Sequence, residues 1–203
     1  MDNLTPFRRR RTNVREMHDH ALDHLQYIRK TMAGAGEFTA VPGWGQVAVG
    51  LTALVAAVFA YGKTQGAWLN IWLVEAVVAS LIGGWSVDRK ARRAQEPLWL
   101  GPGKRILVCF LAMYGIAALL TIRFVALGDF AALPGTWLAL HGAALLTAGT
   151  YSVRPVPISG AAFLALGGLA WFLPEAWAHA AMAAGFGGLH LVFGYWIARK
   201  YGG

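Results

Sequence analysis

The chain has 203 residues, of which 57% are hydrophobic and 14% charged, and its formal net charge is +8. Soluble domains usually carry about 25% charged residues, so the composition argues against an ordinary soluble globular protein. The single cysteine, Cys109, excludes an internal disulfide, a CxxC redox pair and a cysteine-based zinc site.

Residues 1–42 are predicted to form a cytoplasmic N-terminal segment with an amphipathic surface helix over about 13–33. Its apolar residues are spaced by three or four positions and fall on one stripe of the helix: Val14, Met17, Ala21, Leu25, Ile28 and Met32. Such a helix can lie on the inner leaflet, pack on the cytoplasmic ends of a bundle or bind a partner.

The polar face of this segment carries a weak candidate for a metal site. Glu16, His20 and His24 are four residues apart and share a face, but three ligands on one helix seldom complete a site. We therefore favour a solvated or headgroup-facing surface there.

A run of four arginines precedes this helix. Its members are Arg8, Arg9, Arg10 and Arg11. Adjacent basic side chains are attracted to the negative surface of the cytoplasmic leaflet, so the run is expected to contact anionic lipid headgroups.

Beyond residue 42, the apolar residues fall into six blocks of bilayer length. A hydrocarbon core of about 30 Å needs about 20 helical residues, so each block is predicted to be a transmembrane helix. The first block begins after some 40 largely polar residues, which favours a retained helix over a signal peptide. The sequence thus predicts an all-α integral membrane protein with a six-helix domain over 43–203, whose helices lie at about 43–62, 66–87, 106–127, 130–153, 155–174 and 176–198.

The basic residues indicate how this bundle is oriented. Seven Lys and Arg lie in residues 1–42, six between the second and third blocks, one after the fourth and two in the C-terminal tail. Only Lys63 and Arg123 fall on the other side. Because cytoplasmic segments are enriched in Lys and Arg, both termini are predicted to be cytoplasmic, in a multi-pass protein of the inner (plasma) membrane. Orientation explains the positive charge, so the lipid bilayer is the expected partner and nucleic acid is not.

Tryptophans cluster near the predicted helix ends, where amphipathic rings favour the headgroup level. We expect seven of them to be membrane-interface anchors: Trp44, Trp68, Trp85, Trp99, Trp171, Trp177 and Trp196. His179 is expected at the outer interface for the same reason.

Three ionisable side chains lie inside the predicted spans: Glu75, His141 and His190. Each costs about 2.5–3.5 kcal/mol on insertion scales, so each needs a compensating interaction. Glu75 and His141 are expected at similar depth, on helices that run inward. We interpret the three as a ligand-binding or proton-relay centre that binds or passes a small solute or proton. Their alternative role is a packing hydrogen bond to a neighbouring helix.

Two other functions stay open. His141 and His190 could ligate a haem b as a bis-histidine pair, whereas the leading interpretation needs no cofactor. Alternatively, the N-terminal helix and the connection between Arg89 and Lys104 could bind cytoplasmic partners of a structural or regulatory subunit. No catalytic residue is predicted, because Ser159 and His179 are expected at opposite ends of their helices, too far apart for a dyad.

Small residues predict close helix packing. Ala53 and Ala57 form one seam, and a four-residue ladder forms another: Ala176, Ala180, Ala184 and Gly188. Either seam could pack within the bundle or against another subunit, a second copy included. In size and helix number the chain is similar to the substrate-binding membrane subunits of energy-coupling-factor vitamin transporters, whose coupling partner meets a comparable seam. That architectural similarity implies a subunit of a larger transport complex.

Overall fold

The computed structural model describes residues 20, 22–25, 28, 38–95 and 98–202. The chain divides into two units, residues 1–36 and 37–203. In the first unit the described residues are helical and exposed, His20 and His24 among them. Within the described part of the chain, no three His, Cys, Asp or Glu side chains gather as a metal site.

Two predictions for the first unit fall on residues that the structure does not describe. Glu16, the third ligand of the candidate metal site, is one of these residues. The second prediction is the lipid contact of the four adjacent arginines, which are also not described: Arg8, Arg9, Arg10 and Arg11. Contact between this basic run and lipid headgroups therefore stays a prediction.

The second unit is built from helices that cover all six predicted blocks. They are α1 (Gly43–Ala60), α2 (Gln65–Ala94), α3 (Gly101–Leu127), α4 (Ala132–Gly149), α5 (Pro155–Ala170), α6 (Glu175–Met182) and α7 (His190–Tyr201). A π-helical segment, Ala183–Leu189, joins α6 to α7. These last three elements form one continuous rod, which we call the C-terminal helix.

Four of the described helices are long and apolar enough to cross a membrane. They are α1, α2, α3 and the Trp177–Tyr201 part of the C-terminal helix, while α5 is apolar but shorter, at 16 residues. The prediction of a helical membrane protein is thus supported at the level of class, with four spans identified by length and composition.

Several helices end at places that hydropathy did not predict. α2 continues seven residues past the end of its apolar block, through a basic turn in which Arg92 Nε donates to Asp88 Oδ2 at 2.8 Å. The helix stops at Gln95, whose φ of 56° is left-handed. Charged residues limit how much of a helix can lie in lipid, but they do not end the helix, which explains the difference.

The helices of the second unit alternate in direction and define two ends. At one end, Lys90 Nζ donates to the carbonyl oxygens of Val41 at 2.8 Å and Tyr201 at 3.0 Å. Phe38 N–H donates to the Tyr151 carbonyl oxygen at 2.7 Å, and Ser152 Oγ–H to that of Phe38 at 2.9 Å. We call this the basic end. The opposite end, formed by the connections 61–64, 128–131 and 171–174, is called the Lys63 end.

Glycines bring two antiparallel helix pairs into backbone contact. A Cβ atom at Gly142 on α4 would overlap the backbone of Leu164 on α5, and one at Gly43 on α1 would overlap the backbone of Ala198. Ala180 and Ala184 of the predicted ladder on the C-terminal helix are exposed, so they do not pack within the bundle, and packing against another subunit stays a prediction. The π-helical segment changes the number of residues per turn, so a four-residue spacing does not stay on one face there.

The core of this unit is centred on α4. Leu133 and Leu138 on this helix are fully buried, and so is Phe163 on α5, at 1% exposure. By contrast, the most apolar stretch of α3 has no buried residue, and its long apolar side chains point outward. The most hydrophobic helix is therefore peripheral, and the polar site described below lies between α4 and its neighbours.

Adjacent glycines on α5 offer a test of this packing. Gly167→Ala places a Cβ against the backbone of Ala139 and should destabilise the fold by about 1–3 kcal/mol, the usual cost of overpacking. Gly168→Ala enters open space and should be neutral or slightly stabilising. Unfolding of both variants in detergent micelles, followed by circular dichroism, measures the difference. Equal stabilities would contradict the seam.

Candidate functional site

Two of the three predicted intramembrane residues meet inside the bundle. His141 lies on α4 and His190 at the start of α7; each is 8% exposed, and their ring centroids are 5.1 Å apart. The contact between Leu138 and Gly185 shows that the two residues lie at similar positions along the bundle. From that contact His141 is three residues along its helix and His190 five, a difference of about 3 Å at 1.5 Å per residue.

The two imidazoles have different hydrogen-bond partners. His190 Nδ1 lies 3.0 Å from the Phe186 carbonyl oxygen, which can only accept, so this nitrogen carries a proton. His141 Nδ1 lies 2.9 Å from the Tyr114 hydroxyl oxygen on α3. This nitrogen is the one hydrogen-bond partner of that hydroxyl among the described residues, so we assign the donor role to Tyr114. Under this assignment neutral His141 carries its proton on Nε2.

The local backbone makes the His190 contact possible. At the end of the π-helical segment the backbone N–H of His190 donates to the Gly187 carbonyl, three residues earlier, instead of to the Phe186 carbonyl, four residues earlier, as it would in a regular α-helix. The Phe186 carbonyl can therefore accept from the imidazole ring. Single π-helical turns are frequent at functional sites, and this one sets the position of a buried histidine.

Aromatic rings enclose the histidine pair. Phe163 on α5 lies 4.7 Å from His141 and 5.1 Å from His190, measured between ring centroids. Phe186 lies 5.3 Å and 6.2 Å from the same two rings. We call His141, His190, Tyr114, Phe163 and Phe186 the histidine cluster. Its apolar walls strengthen any electrostatic interaction between the imidazoles and hold both rings in place.

Glu75 lies apart from the histidine cluster. Its carboxyl Oε1 accepts a hydrogen bond from Thr52 Oγ1 on α1 at 2.8 Å. Together with Val55, Phe59 and Asn70, these side chains line an open groove of about 550 Å³ between α1 and α2. The sequence predicted similar depth for Glu75 and His141, but depth does not determine which face of a helix a residue occupies.

The histidine pair does not present the geometry of a haem site. Bis-histidine ligation requires the flat macrocycle to lie between two imidazoles that approach the iron from opposite sides. Here the rings are 5.1 Å apart and both are packed against Phe163 and Phe186. Haem binding would require those phenyl rings to move.

Other predicted sites also have defined positions. Ser159 is buried near the basic end and donates to the Val156 carbonyl of its own helix, whereas His179 lies at the Lys63 end, so the two do not form a dyad. Trp68, predicted as an interface anchor, is instead 3% exposed and stacks on Trp137 at 5.7 Å. Trp85 and Trp177 are exposed, as the anchor interpretation expects.

Sequence reasoning missed Tyr114, Phe163 and Phe186. Tyr114 lies in the middle of the block 106–127, and a hydroxyl at that depth needs a partner just as an imidazole does. Its hydroxyl inside a predicted span is thus a sequence signal of the same kind as the imidazoles of His141 and His190. The phenylalanines carry no such signal, because they resemble any other apolar residue of a buried helix.

Comparison with protein-family models, with curated proteins and with solved structures finds no match for the chain.

The hydrogen bonds predict that His141 and His190 adopt opposite neutral tautomers. In ¹⁵N-histidine-labelled protein, the ring nitrogen shifts should show a proton on Nε2 of His141 and on Nδ1 of His190. Tyr114→Phe should move the His141 signals and leave His190 nearly unchanged, because only His141 loses a partner. Magic-angle-spinning NMR in lipid measures both. The same tautomer for the two residues, or no response to Tyr114→Phe, would contradict the assignment.

Proposed function

We propose that the histidine cluster is a proton-binding centre through which protons pass along the bundle. The observation that carries this proposal is the pair of buried imidazoles whose ring centroids are 5.1 Å apart, one of them with a ring nitrogen that has no hydrogen-bond partner among the described residues. Histidine is the side chain suited to gain and lose a proton near neutral pH.

Packing around the pair favours a proton over a larger solute. Ring centroids in the cluster lie between 4.7 and 6.2 Å apart, which is ordinary aromatic contact. A proton crosses such contacts by transfer between nitrogen and oxygen atoms, whereas a solute would have to separate the rings. The Tyr114 hydroxyl, on a side chain that is 42% exposed, extends the hydrogen-bonded atoms toward the periphery.

We further propose that all six helical rods cross the inner membrane, with both termini in the cytoplasm. α4 has 18 residues and α5 has 16, so they span about 27 Å and 24 Å, close to the hydrocarbon thickness. Residues 38–95 and 98–202 place nine Lys and Arg at the basic end and only Lys63 and Arg123 near the other. This asymmetry supports a cytoplasmic basic end.

Proton flux into liposomes tests the proposed centre. His141→Phe and His190→Phe should each lower the flux by about tenfold or more, because each removes a positioned proton-transfer group while keeping a ring of similar shape. Flux is followed with an entrapped pH dye after an imposed potential. His24→Phe, in the first unit, is the matched control and should behave like the native protein. Native flux in both cluster variants would reject the proposal.

A second candidate function rests on the groove between α1 and α2. Its walls are apolar except for Thr52, Lys63, Asn70 and Glu75, and it runs along about 10 Å of helix between residues 52 and 59. The described contacts give Glu75 one partner, Thr52, and leave its second carboxyl oxygen available. We propose that the groove binds an apolar chain that bears one hydrogen-bond donor, such as a long-chain alcohol.

Carbodiimide labelling tests this groove. Dicyclohexylcarbodiimide dissolves in lipid and should modify one carboxyl per chain, at Glu75, with labelling lost in Glu75→Gln and kept in Asp129→Asn. Decanol should slow the labelling severalfold and decane should not, because only the alcohol can donate to the carboxyl group. Mass spectrometry of tryptic peptides reads both effects. Equal protection by decane and decanol would show that the groove does not recognise a donor.

A further inference from the structure

Four buried side-chain nitrogens have no hydrogen-bond partner in the described part of the chain. They are Trp68 Nε1, Trp72 Nε1, His141 Nε2 and His179 Nδ1. Trp68 and Trp72 are 3% and 4% exposed, so neither indole reaches the surface. Buried donors in native proteins are almost always paired, and each unpaired group calls for an explanation.

The four nitrogens belong to one continuous column of rings. Between centroids, His179 lies 5.5 Å from Trp68, and Trp68 lies 6.3 Å from Trp72. Phe186 then connects Trp72 at 6.1 Å to His141 at 5.3 Å. The column therefore leads from the Lys63 end of the bundle to the histidine cluster.

A small cavity lies at the start of this column. It has a volume of about 30 Å³ and is lined by polar and aromatic side chains that include Lys63, Gln65, Trp68 and His179. A water molecule needs about 10–15 Å³ of such volume, so about two can fit. Lys63 and Gln65 are exposed, which places the cavity at the surface of the unit.

The chemistry of the column determines what can occupy it. An indole N–H only donates, so Trp68 and Trp72 need an acceptor, and no carboxylate lines the cavity that would attract a cation. Water accepts from the indole and passes its own proton to the next molecule. We infer that a file of water molecules enters at Lys63 and His179, follows Trp68 and Trp72, and reaches His141. This inference deepens the proposed function, on which it rests, by giving the route of protons between the cluster and the Lys63 end, with His141 Nε2–H donating to the last water.

Trp137 supplies a matched control within the same stack. Its ring lies almost parallel to that of Trp68, at 5.7 Å, but its Nε1 donates to Thr121 Oγ1 at 2.8 Å. Aromatic packing is therefore shared, whereas the need for a water acceptor is not. Trp137 is only partly buried and Trp68 is 3% exposed, so a stronger water signal from the more buried indole reports on internal hydration.

Water-edited NMR of ¹⁵N-tryptophan-labelled protein in nanodiscs tests the water file directly. The indole signals of Trp68 and Trp72 should receive magnetisation from water severalfold more strongly than that of Trp137. Trp68→Phe, Trp72→Phe and Trp137→Phe assign the three signals, each variant losing one. If one variant does not fold, the other two assign the remaining indole by elimination against the exposed tryptophans.

Two results would overturn the inference. If Trp68 and Trp72 receive as little magnetisation as Trp137, the column is dry. If replacing chloride with gluconate shifts the two indole signals while Trp137 stays unchanged, a small anion is the occupant instead of water. Neither result depends on proton flux, so the water file can fail while the proposed function stands. Conversely, native proton flux in His141→Phe and His190→Phe would reject the proton centre, but it would not contradict a water file detected by NMR.

Discussion

Close contact at glycines sets the positions of the polar groups in this bundle. Gly142, next to His141, lets α4 approach the backbone of α5, and that approach brings Phe163 against the imidazole. Gly187, three residues before His190, lies against the Leu54 side chain of α1. Where helices meet through glycine, a side chain a few positions away has little freedom to move. The close spacing of the two imidazoles is thus a consequence of the seams on either side of them.

α4 and α3 contribute unequally to the core and to the histidine cluster. α4 is buried on nearly every side and carries His141, whereas α3 packs mainly on α4 and exposes the rest of its surface. Nevertheless α3 supplies Tyr114, whose hydroxyl hydrogen-bonds to the His141 ring. The site thus combines a part positioned by glycine seams, on α4, α5 and the C-terminal helix, with one hydrogen bond from the peripheral α3.

Sequence reasoning predicted the helices because a membrane span needs a long apolar run: helices cover all six apolar blocks, and four described helices are long and apolar enough to cross a membrane. It also singled out Glu75, His141 and His190, which are all buried in the structure. It did not predict which of them meet, because that depends on helix rotation. A π-helical segment within the last block alters rotation by a fraction of a turn, and nothing in Ala183–Leu189 announces it beyond an excess of glycine.

Trp68 shows that position near a helix end does not by itself identify a membrane-interface anchor. An aromatic residue near a helix end is usually an interface anchor, and Trp44 and Trp85 fit that pattern at more than half exposure. Trp68 has the same sequence context, but its helix end is covered by α4 and the C-terminal helix, whose Trp137 and His179 pack on its ring. Whether a helix end faces headgroups or a neighbour is a tertiary property. It cannot be read from hydropathy.

The buried indole N–H groups of Trp68 and Trp72 are unusual because other donors in the bundle have acceptors close at hand. In a helical bundle the backbone satisfies itself, and hydroxyls such as those of Thr136 and Ser159 bond to carbonyls of their own helices. An indole N–H needs an acceptor from elsewhere, which Trp137 obtains from Thr121. Such acceptors are scarce in an interior made of Leu, Ala, Gly and Phe. Burying the indole N–H of a tryptophan in such an interior without an acceptor destabilises the fold, unless a water molecule enters and accepts from it. Trp68 and Trp72 are two such indoles, in one column of rings with a buried histidine pair. A hydrated path explains them better than packing does, because packing alone leaves both N–H groups without an acceptor among the described residues.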